Sequence, residues 1–194
     1  MKRWRLPQPN RRGLTLVELM ITISIFGIIM AVVFSFMTQA NRSYSDSRDR
    51  AQYQQSMRAT MSLIAQELRS AGCDPRGVGF ESISIAANTV IRCQMDLNGD
   101  SDVMDNSPDE TVTYAYNAGT DEVWRDDGTG AQAILRGVTN VTFNYFDDQG
   151  NALAAVPLNA TDRSEVAFVE IALVGETTSG EPVQYQTRVR VRNF

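Results

Sequence analysis

The chain has 194 residues, with 18 basic and 23 acidic side chains, two cysteines and no histidine. The lack of histidine excludes Ser-His-Asp and Cys-His catalysis and any histidine-ligated zinc or haem, and no Gly-rich phosphate loop or Gly-x-Ser-x-Gly elbow is present, so we expect no enzyme. Five of the basic residues lie within the first 13, so the remainder is acidic and lacks the basic surface that nucleic-acid binding needs.

A basic leader precedes a long apolar segment at the N-terminus. Residues 1–13 contain no acid, and residues 14–37 contain Glu18 as their one ionisable group. The basic residues of the leader are Lys2, Arg3, Arg5, Arg11 and Arg12. About 20 apolar helical residues span a bilayer, and basic flanks stay cytoplasmic. The pattern therefore predicts a single-pass inner-membrane helix over 14–37, with the leader in the cytoplasm and the C-terminal domain in the periplasm.

Glu18 is costly inside a membrane unless it has a partner, at about 2.5–3.5 kcal/mol on insertion scales. If the chain were cut after Gly13, Leu14 would supply an α-amino group one helical turn away. That amine could pair with Glu18 of a neighbouring subunit and favour lateral assembly. The alternative is a plain anchor in which Glu18 lies near the interface.

The run Gly13-Leu14-Thr15-Leu16-Val17-Glu18 resembles the processing motif of the type IV pilin superfamily. The resemblance implies that a prepilin peptidase cuts between Gly13 and Leu14 and methylates the Leu14 amine, and that Glu18 takes part in subunit docking. It also implies that the partners are other minor and major pilins and the inner-membrane assembly platform. Leu14 departs from the commoner phenylalanine or methionine, and Ser35 stands where many major pilins have a helix-kinking proline, which argues against a major subunit.

Residues 38–72 are predicted to continue the helix, because residues 38–71 contain neither proline nor glycine. Apolar residues then recur at steps of three and four, which places them on one helical face. These residues are Met57, Met61, Ile64, Leu68 and Ala71. Gly72 and Pro75 end the pattern, and the apolar face is expected to pack against the domain that follows.

Residues 73–194 are predicted to form a β-rich domain, because the apolar period changes to two. The expected strands are 82–86, 89–95, 110–116, 122–125, 138–146, 166–174 and 183–192. Strands that follow one long helix predict an α+β fold with an antiparallel sheet packed on the helix. This order of elements also resembles that of the type IV pilin family, which implies a type IV pilin-like fold. Alternate arginines on the last strand fit a solvated face better than a binding stripe. The helix end at 67–72 and the strand at 137–143 look like those of PilW-like minor pilins, and the minor pseudopilin J of type II secretion shares this outline.

Cys73 and Cys93 could form a disulfide in an exported domain, because that compartment is oxidising. The alternative is a pair of free buried thiols, since spacing alone does not report the distance between two Cα atoms.

Residues 96–105 place oxygen side chains at alternate positions of an acidic loop, which resembles EF-hand-like and dockerin-type calcium loops. The candidate calcium ligands are Asp96, Asn98, Asp100, Asp102 and Asp105. The loop departs from those patterns at two points, because Ser101 stands where the glycine belongs and Ser107 where the closing acid belongs. Asp109 or Glu110 could close the shell instead. The alternative is a solvated acidic turn.

These features together predict a minor pilin that prepilin peptidase processes and that helps to initiate type IV pilus assembly. It would reside in the inner membrane and later in the pilus at the cell surface. Two alternatives stay open: a J-like minor pseudopilin of a type II secretion system, and a membrane-tethered, calcium-dependent adhesion or binding module.

Overall fold

The computed structural model describes residues 13–105, 107–154 and 156–191. The basic residues of the leader and Arg192, which ends the last predicted strand, lie outside these ranges. The chain divides into two compact units, Met1–Asp46 and Ser47–Phe194, and helix α1 (Leu16–Ser70) contributes residues to both.

In the first unit, every described side chain is exposed although most are apolar. Within the described chain, α1 is the one helix long and apolar enough to cross a membrane, judged by length and composition. Two polar side chains of its apolar part bond to the helix backbone: the Thr22 hydroxyl donates to the Glu18 carbonyl and the Ser24 hydroxyl to the Met20 carbonyl. An exposed apolar surface of this kind needs lipid or other helices as surroundings.

In the second unit, the C-terminal part of α1 packs its apolar face into the core. The predicted face is confirmed, because the helix buries Met57, Thr60, Met61, Ile64, Ala65 and Leu68. The helix ends at Ser70, and Gly72 follows with φ = +77°, a left-handed conformation that glycine adopts readily at a helix end. The Gly72 amide donates to the Gln94 carbonyl at 2.8 Å, which fixes the helix end to the sheet.

Among the described residues, eight strands form two antiparallel sheets, which corrects the expectation of one sheet. The first sheet has the order β1 (Ile83–Ala86), β2 (Val90–Gln94), β3 (Thr111–Asn117), β4 (Glu122–Asp126) and β5 (Gln132–Arg136). The second has the order β6 (Val138–Phe146), β7 (Phe168–Glu176) and β8 (Pro182–Arg190), and the short helix α2 (Ala160–Ser164) precedes β7. Gly137 separates β5 from β6, and its φ of +71° lets the chain leave one sheet and start the other.

One hydrophobic core joins α1 to both sheets. It includes Ile64 and Leu68 from the helix, Tyr114 from β3 and Phe143 from β6, all fully buried. Strands β6 and β7 show the alternation expected of sheets with one buried face. The fold is therefore the predicted α+β, type IV pilin-like architecture of a long N-terminal helix packed against antiparallel sheet.

The two cysteines are free, so the predicted Cys73–Cys93 disulfide is not formed in this structure. Cys93 lies on β2 and is fully buried in the core, where its thiol donates to the Val112 carbonyl of β3 at 3.5 Å. Cys73 follows the helix end and is only half-buried. Side chains alternate between the two faces of β2, and Cys93 lies on the buried face. The number of residues between two cysteines does not report on which face each side chain lies.

Candidate functional site

Thr15 and Glu18 form a reciprocal capping box at the start of α1. The Thr15 amide and hydroxyl both donate to Glu18 Oε2, at 3.0 and 2.9 Å, and the Glu18 amide donates back to the Thr15 hydroxyl at 3.2 Å. This Thr-x-x-Glu pattern satisfies backbone donors that a helix start leaves open. The other carboxylate oxygen of Glu18, Oε1, takes part in none of these bonds.

The predicted cleavage site lies just before this cap and is accessible. Leu14 is 79% exposed, and a Cβ added to Gly13 would meet no atom within 4 Å. Replacing Gly13 by alanine is therefore compatible with the local structure. An effect of that replacement on processing would report recognition by the peptidase rather than a distorted chain.

The acidic loop connects β2 to β3 and is fastened at both ends. At its base the Met95 amide donates to the Glu110 carbonyl at 2.9 Å, and the Asp96 amide donates to the Cys73 carbonyl at 2.8 Å. Glu110 is fully buried and its Oε1 accepts the amides of Leu97 and Asn98, at 2.9 and 3.2 Å. The closing residue of the loop therefore holds the opening residues in place.

Four carboxylates of this loop converge. Asp100, Asp102, Asp105 and Glu110 each have one oxygen within 4.8 Å of the others. Asp100 and Asp102 are exposed, Asp105 is half-buried and Glu110 is buried. The group therefore opens to solvent on one side and rests on the protein on the other.

Two of the five candidate ligands lie differently from the sequence expectation. The Asp96 carboxylate is buried and accepts the amides of Gly99 and Ser101, at 2.5 and 3.1 Å, so it shapes the loop. The side-chain amide of Asn98 donates to Asp100 Oδ2 and to Asp105 Oδ2, at 3.1 and 2.6 Å. Glu110, which the sequence offered only as one possible closing residue, completes the group instead of Asp96.

Neighbouring groups within the loop shift the pKa values of two of its carboxylates. Partial desolvation and the charges of Asp100, Asp102 and Glu110 raise the pKa of Asp105 above its ordinary value. The pKa of Asp100 is lowered, because its carboxylate accepts the backbone amide of Asp102 and the side-chain amide of Asn98. The neighbouring carboxylates and partial desolvation thus disfavour the charged form of Asp105, whereas the amide donors favour the charged form of Asp100.

Two family models match the chain. Residues 8–34 match the prokaryotic N-terminal methylation motif, and residues 46–193 match prepilin peptidase-dependent protein B. The second match extends over more than half of the chain. The chain belongs to the prepilin peptidase-dependent protein B family. No curated protein matches it.

Membership of this family makes the chain a processed, pilin-like protein. The methylation-motif match includes Gly13, Leu14 and Glu18, so the sequence reading of the N-terminus as a prepilin motif is confirmed. Sequence reasoning missed the capping role of Glu18, although the Thr15-x-x-Glu18 spacing is a recognisable signal for it.

Proposed function

We propose that this prepilin peptidase-dependent protein is a minor pilin that takes part in initiating type IV pilus assembly. The peptidase would cut between Gly13 and Leu14 and methylate the new Leu14 amine. The observation that carries the proposal is a carboxylate, Glu18, held by a capping box at the start of an apolar helix whose whole described surface is exposed up to Asp46.

The exposed apolar surface supports assembly by helix packing. In the membrane it is solvated by lipid, and in a filament the same side chains would contact the helices of other subunits. Gly27 lies within this segment, and a Cβ there would meet nothing within 4 Å of the chain itself. A small residue on an open helix surface allows close approach of a neighbouring helix.

Glu18 supports a specific register for that packing. Thr15 positions its carboxylate through Oε2, and the positive Leu14 amine of an adjacent processed subunit would pair with the carboxylate. Such a pair removes the cost of a carboxylate at membrane depth and selects one axial offset between helices. The partners would be other minor and major pilins and the assembly platform of the inner membrane.

The location follows from the same features. The basic leader would stay in the cytoplasm, and the β domain would lie in the periplasm before the assembled subunit reaches the cell surface. The outline of the helix end and of the strand at 137–143 favours the PilW-like type among minor pilins. Ser35 in place of a helix-kinking proline agrees with a minor role.

The test is deletion of the gene, with surface pili counted by electron microscopy and exoprotein secretion assayed in the same strain. The proposal predicts loss of pili with normal secretion. Complementation with Gly13→Ala should fail and should leave an unprocessed band on an immunoblot. Gly27→Ala is the matched control, because it makes the same chemical change in the same segment away from the cleavage site, and it should be processed normally.

Each other outcome would contradict the proposal and point to a specific alternative. Blocked secretion with normal pili would assign the protein to a type II secretion pseudopilus. Normal pili and normal secretion would favour a membrane-tethered binding module. Normal processing of Gly13→Ala would contradict cleavage at Gly13.

A further inference from the structure

Glu110 carries a buried carboxylate oxygen without a protein partner. Its Oε1 accepts two backbone amides, but Oε2 is buried and finds no hydrogen-bond partner among the described residues. A buried polar atom left in this state destabilises the folded protein, and a buried charge does so more strongly. A cation bound beside Oε2 would give this buried oxygen a partner.

The geometry of the loop offers a place for that cation. Oxygens bound to one calcium ion at 2.3–2.6 Å lie on a small sphere, so no two of them are more than about 5 Å apart. One oxygen from each of Asp100, Asp102, Asp105 and Glu110 lies within 4.8 Å of the other three. The four residues come from one loop that is tied down at its base by Met95 and Asp96.

The chemistry of the group selects calcium among common ions. Four carboxylates, each offering one oxygen, form an all-oxygen, strongly anionic set of the kind that calcium prefers. Magnesium usually takes one or two carboxylates and keeps several waters. Zinc in proteins prefers cysteine and histidine, and the described group contains neither.

Two further residues of the loop hold the ligands without binding the ion. The Asn98 amide donates to Asp100 and Asp105 and so orients two carboxylates toward each other despite their like charge. The buried Asp96 carboxylate fixes the backbone at Gly99 and Ser101. Both are positioning residues.

We propose that the β2–β3 loop binds one calcium ion through Asp100, Asp102, Asp105 and Glu110, with the buried Glu110 carboxylate facing the ion from the protein side. The site lies in the second unit, so the inference stands independently of the assembly role proposed above for the N-terminal segment. Calcium would stiffen an exposed loop between two strands of the larger sheet.

The experiment uses the full chain, purified in mild detergent and stripped with EDTA. Calcium binding is measured by isothermal titration calorimetry, and thermal unfolding is followed by tryptophan fluorescence with and without calcium. The expected result is one site per chain with a Kd of about 1 mM or tighter, accompanied by a rise in Tm. Magnesium should bind at least about tenfold more weakly.

Two variants test the proposed ligands, and a third variant serves as the control. Glu110→Gln keeps an acceptor for the amides of Leu97 and Asn98 but removes the charge, and it should weaken calcium binding at least about tenfold. Asp102→Asn should act in the same direction, and because Asp102 is exposed it decides the question if Glu110→Gln does not fold. Asp148→Asn is the control, because it removes one acid from the exposed Asp147–Gly150 turn, and its Kd should stay within about twofold of the wild-type value.

The proposal would be overturned by an absence of calcium binding at 10 mM, a concentration of about ten times the expected Kd. Wild-type calcium affinity in both Glu110→Gln and Asp102→Asn would also overturn it. Equal affinity for magnesium and calcium would refute the choice of ion.

Discussion

Arg125 on β4 lies against Glu67 near the end of α1, with 2.9 Å between Arg125 Nη2 and Glu67 Oε1, and each side chain is only 16% exposed. The same guanidinium contacts the carboxylates of Asp109 and Asp127, at 2.7 and 2.8 Å, and the Tyr114 hydroxyl donates to Glu67. Burial works against the charge of Arg125, but its hydrogen bonds to Glu67 and Asp109 outweigh burial and raise its pKa. The Arg125 guanidinium thus links the helix to the larger sheet and, through Asp109, to the last part of the acidic loop.

Replacing Arg125 by methionine should destabilise the folded protein strongly. The variant keeps a long side chain but leaves Glu67, Asp109 and Asp127 without their cation. Removing one member of a buried ion pair costs about 3–5 kcal/mol, and because these side chains are only partly buried, the loss should lie at or below the lower end of that range. We would measure urea unfolding of the processed chain by the fluorescence of Trp124, the one tryptophan that remains after residue 13.

Arg136→Met is the matched control for this prediction. Arg136 on β5 pairs with Glu122 at 2.9 Å, but its side chain is 81% exposed, so the loss should be at most about 1 kcal/mol. Equal losses in the two variants would show that the buried network contributes no more than a surface pair.

Gly175→Ala should destabilise the three-stranded sheet. A Cβ at Gly175 would lie 2.0 Å from the Tyr53 hydroxyl and 2.6 Å from the Gly137 carbonyl oxygen, and the second contact is with backbone. Forcing an extra carbon into a packed site costs about 1–3 kcal/mol or more. Urea unfolding of the variant should show a loss in this range.

Two further variants make the cause explicit. Gly119→Ala is the control, because its added Cβ would approach only the Asn117 side chain at 3.2 Å, so its stability should change little. Tyr53→Phe combined with Gly175→Ala should recover part of the loss, since it removes the hydroxyl contact but leaves the contact with the Gly137 carbonyl. The absence of any recovery would place the whole strain in the backbone.

Asp127 should make stability depend on pH in acid. Hydrogen bonds from the Thr129 hydroxyl and amide, together with the Arg125 charge, lower its pKa from 3.8 to about 2. Because the folded-state pKa is lowered, this carboxylate stabilises the protein above the unfolded pKa, and the contribution is lost as the pH falls from about 4 to about 2. Asp127→Asn should flatten unfolding free energy against pH in that window.

Thr129→Ala refines this prediction. It removes the hydroxyl bond of 2.6 Å and keeps the amide bond, so its pH dependence should lie between those of the wild type and Asp127→Asn. An unchanged slope in Asp127→Asn would assign the acid sensitivity to other carboxylates whose pKa is also lowered, such as Asp74 and Asp147.

The two thiols should differ in reactivity. Burial raises the pKa of Cys93 to about 12, so it has almost no thiolate at pH 8, whereas Cys73 is half-buried at the helix end. Iodoacetamide should therefore modify Cys73 alone in the folded protein and both cysteines in urea, as read by mass spectrometry. Cys73→Ser should take up no label until it unfolds. A wild-type chain that stays unlabelled in urea without reductant would show that the cell forms the disulfide.

The sequence predicted the long helix and most strands because each has a period that only one kind of element satisfies. The stripe from Met57 to Leu68 repeats every three or four residues, and β8 alternates over its whole length. Strand β5 was missed because Gln132–Arg136 is short and only Leu135 is buried, so its alternation is weak. The division into two sheets was also missed. The chain changes sheet at Gly137, and the apolar alternation of β5 and β6 does not mark that change.

The sequence likewise predicted only part of the acidic loop. Spacing identified Asp100, Asp102 and Asp105, which do converge. It could not show that Asp96 turns inward to cap Gly99 while Glu110 takes a place in the group. Those two orientations depend on backbone hydrogen bonds that form only in the folded chain.

The capping box gives Glu18 two roles that one pair of substitutions can separate. Glutamine at position 18 can still accept the Thr15 amide and hydroxyl, so Glu18→Gln keeps the cap and removes the charge, while Glu18→Ala removes both. If the carboxylate pairs with the Leu14 amine of a neighbouring subunit, both variants should be processed normally on an immunoblot, and both should restore few pili to the deletion strain. If capping alone matters, Glu18→Gln should restore pili as the wild type does and only Glu18→Ala should fail, because loss of a cap costs the helix start about 0.5–2 kcal/mol. We expect the first result. A charged carboxylate at membrane depth costs more insertion free energy than an uncharged glutamine, and glutamine could also cap the helix, so capping alone does not account for a glutamate at this position.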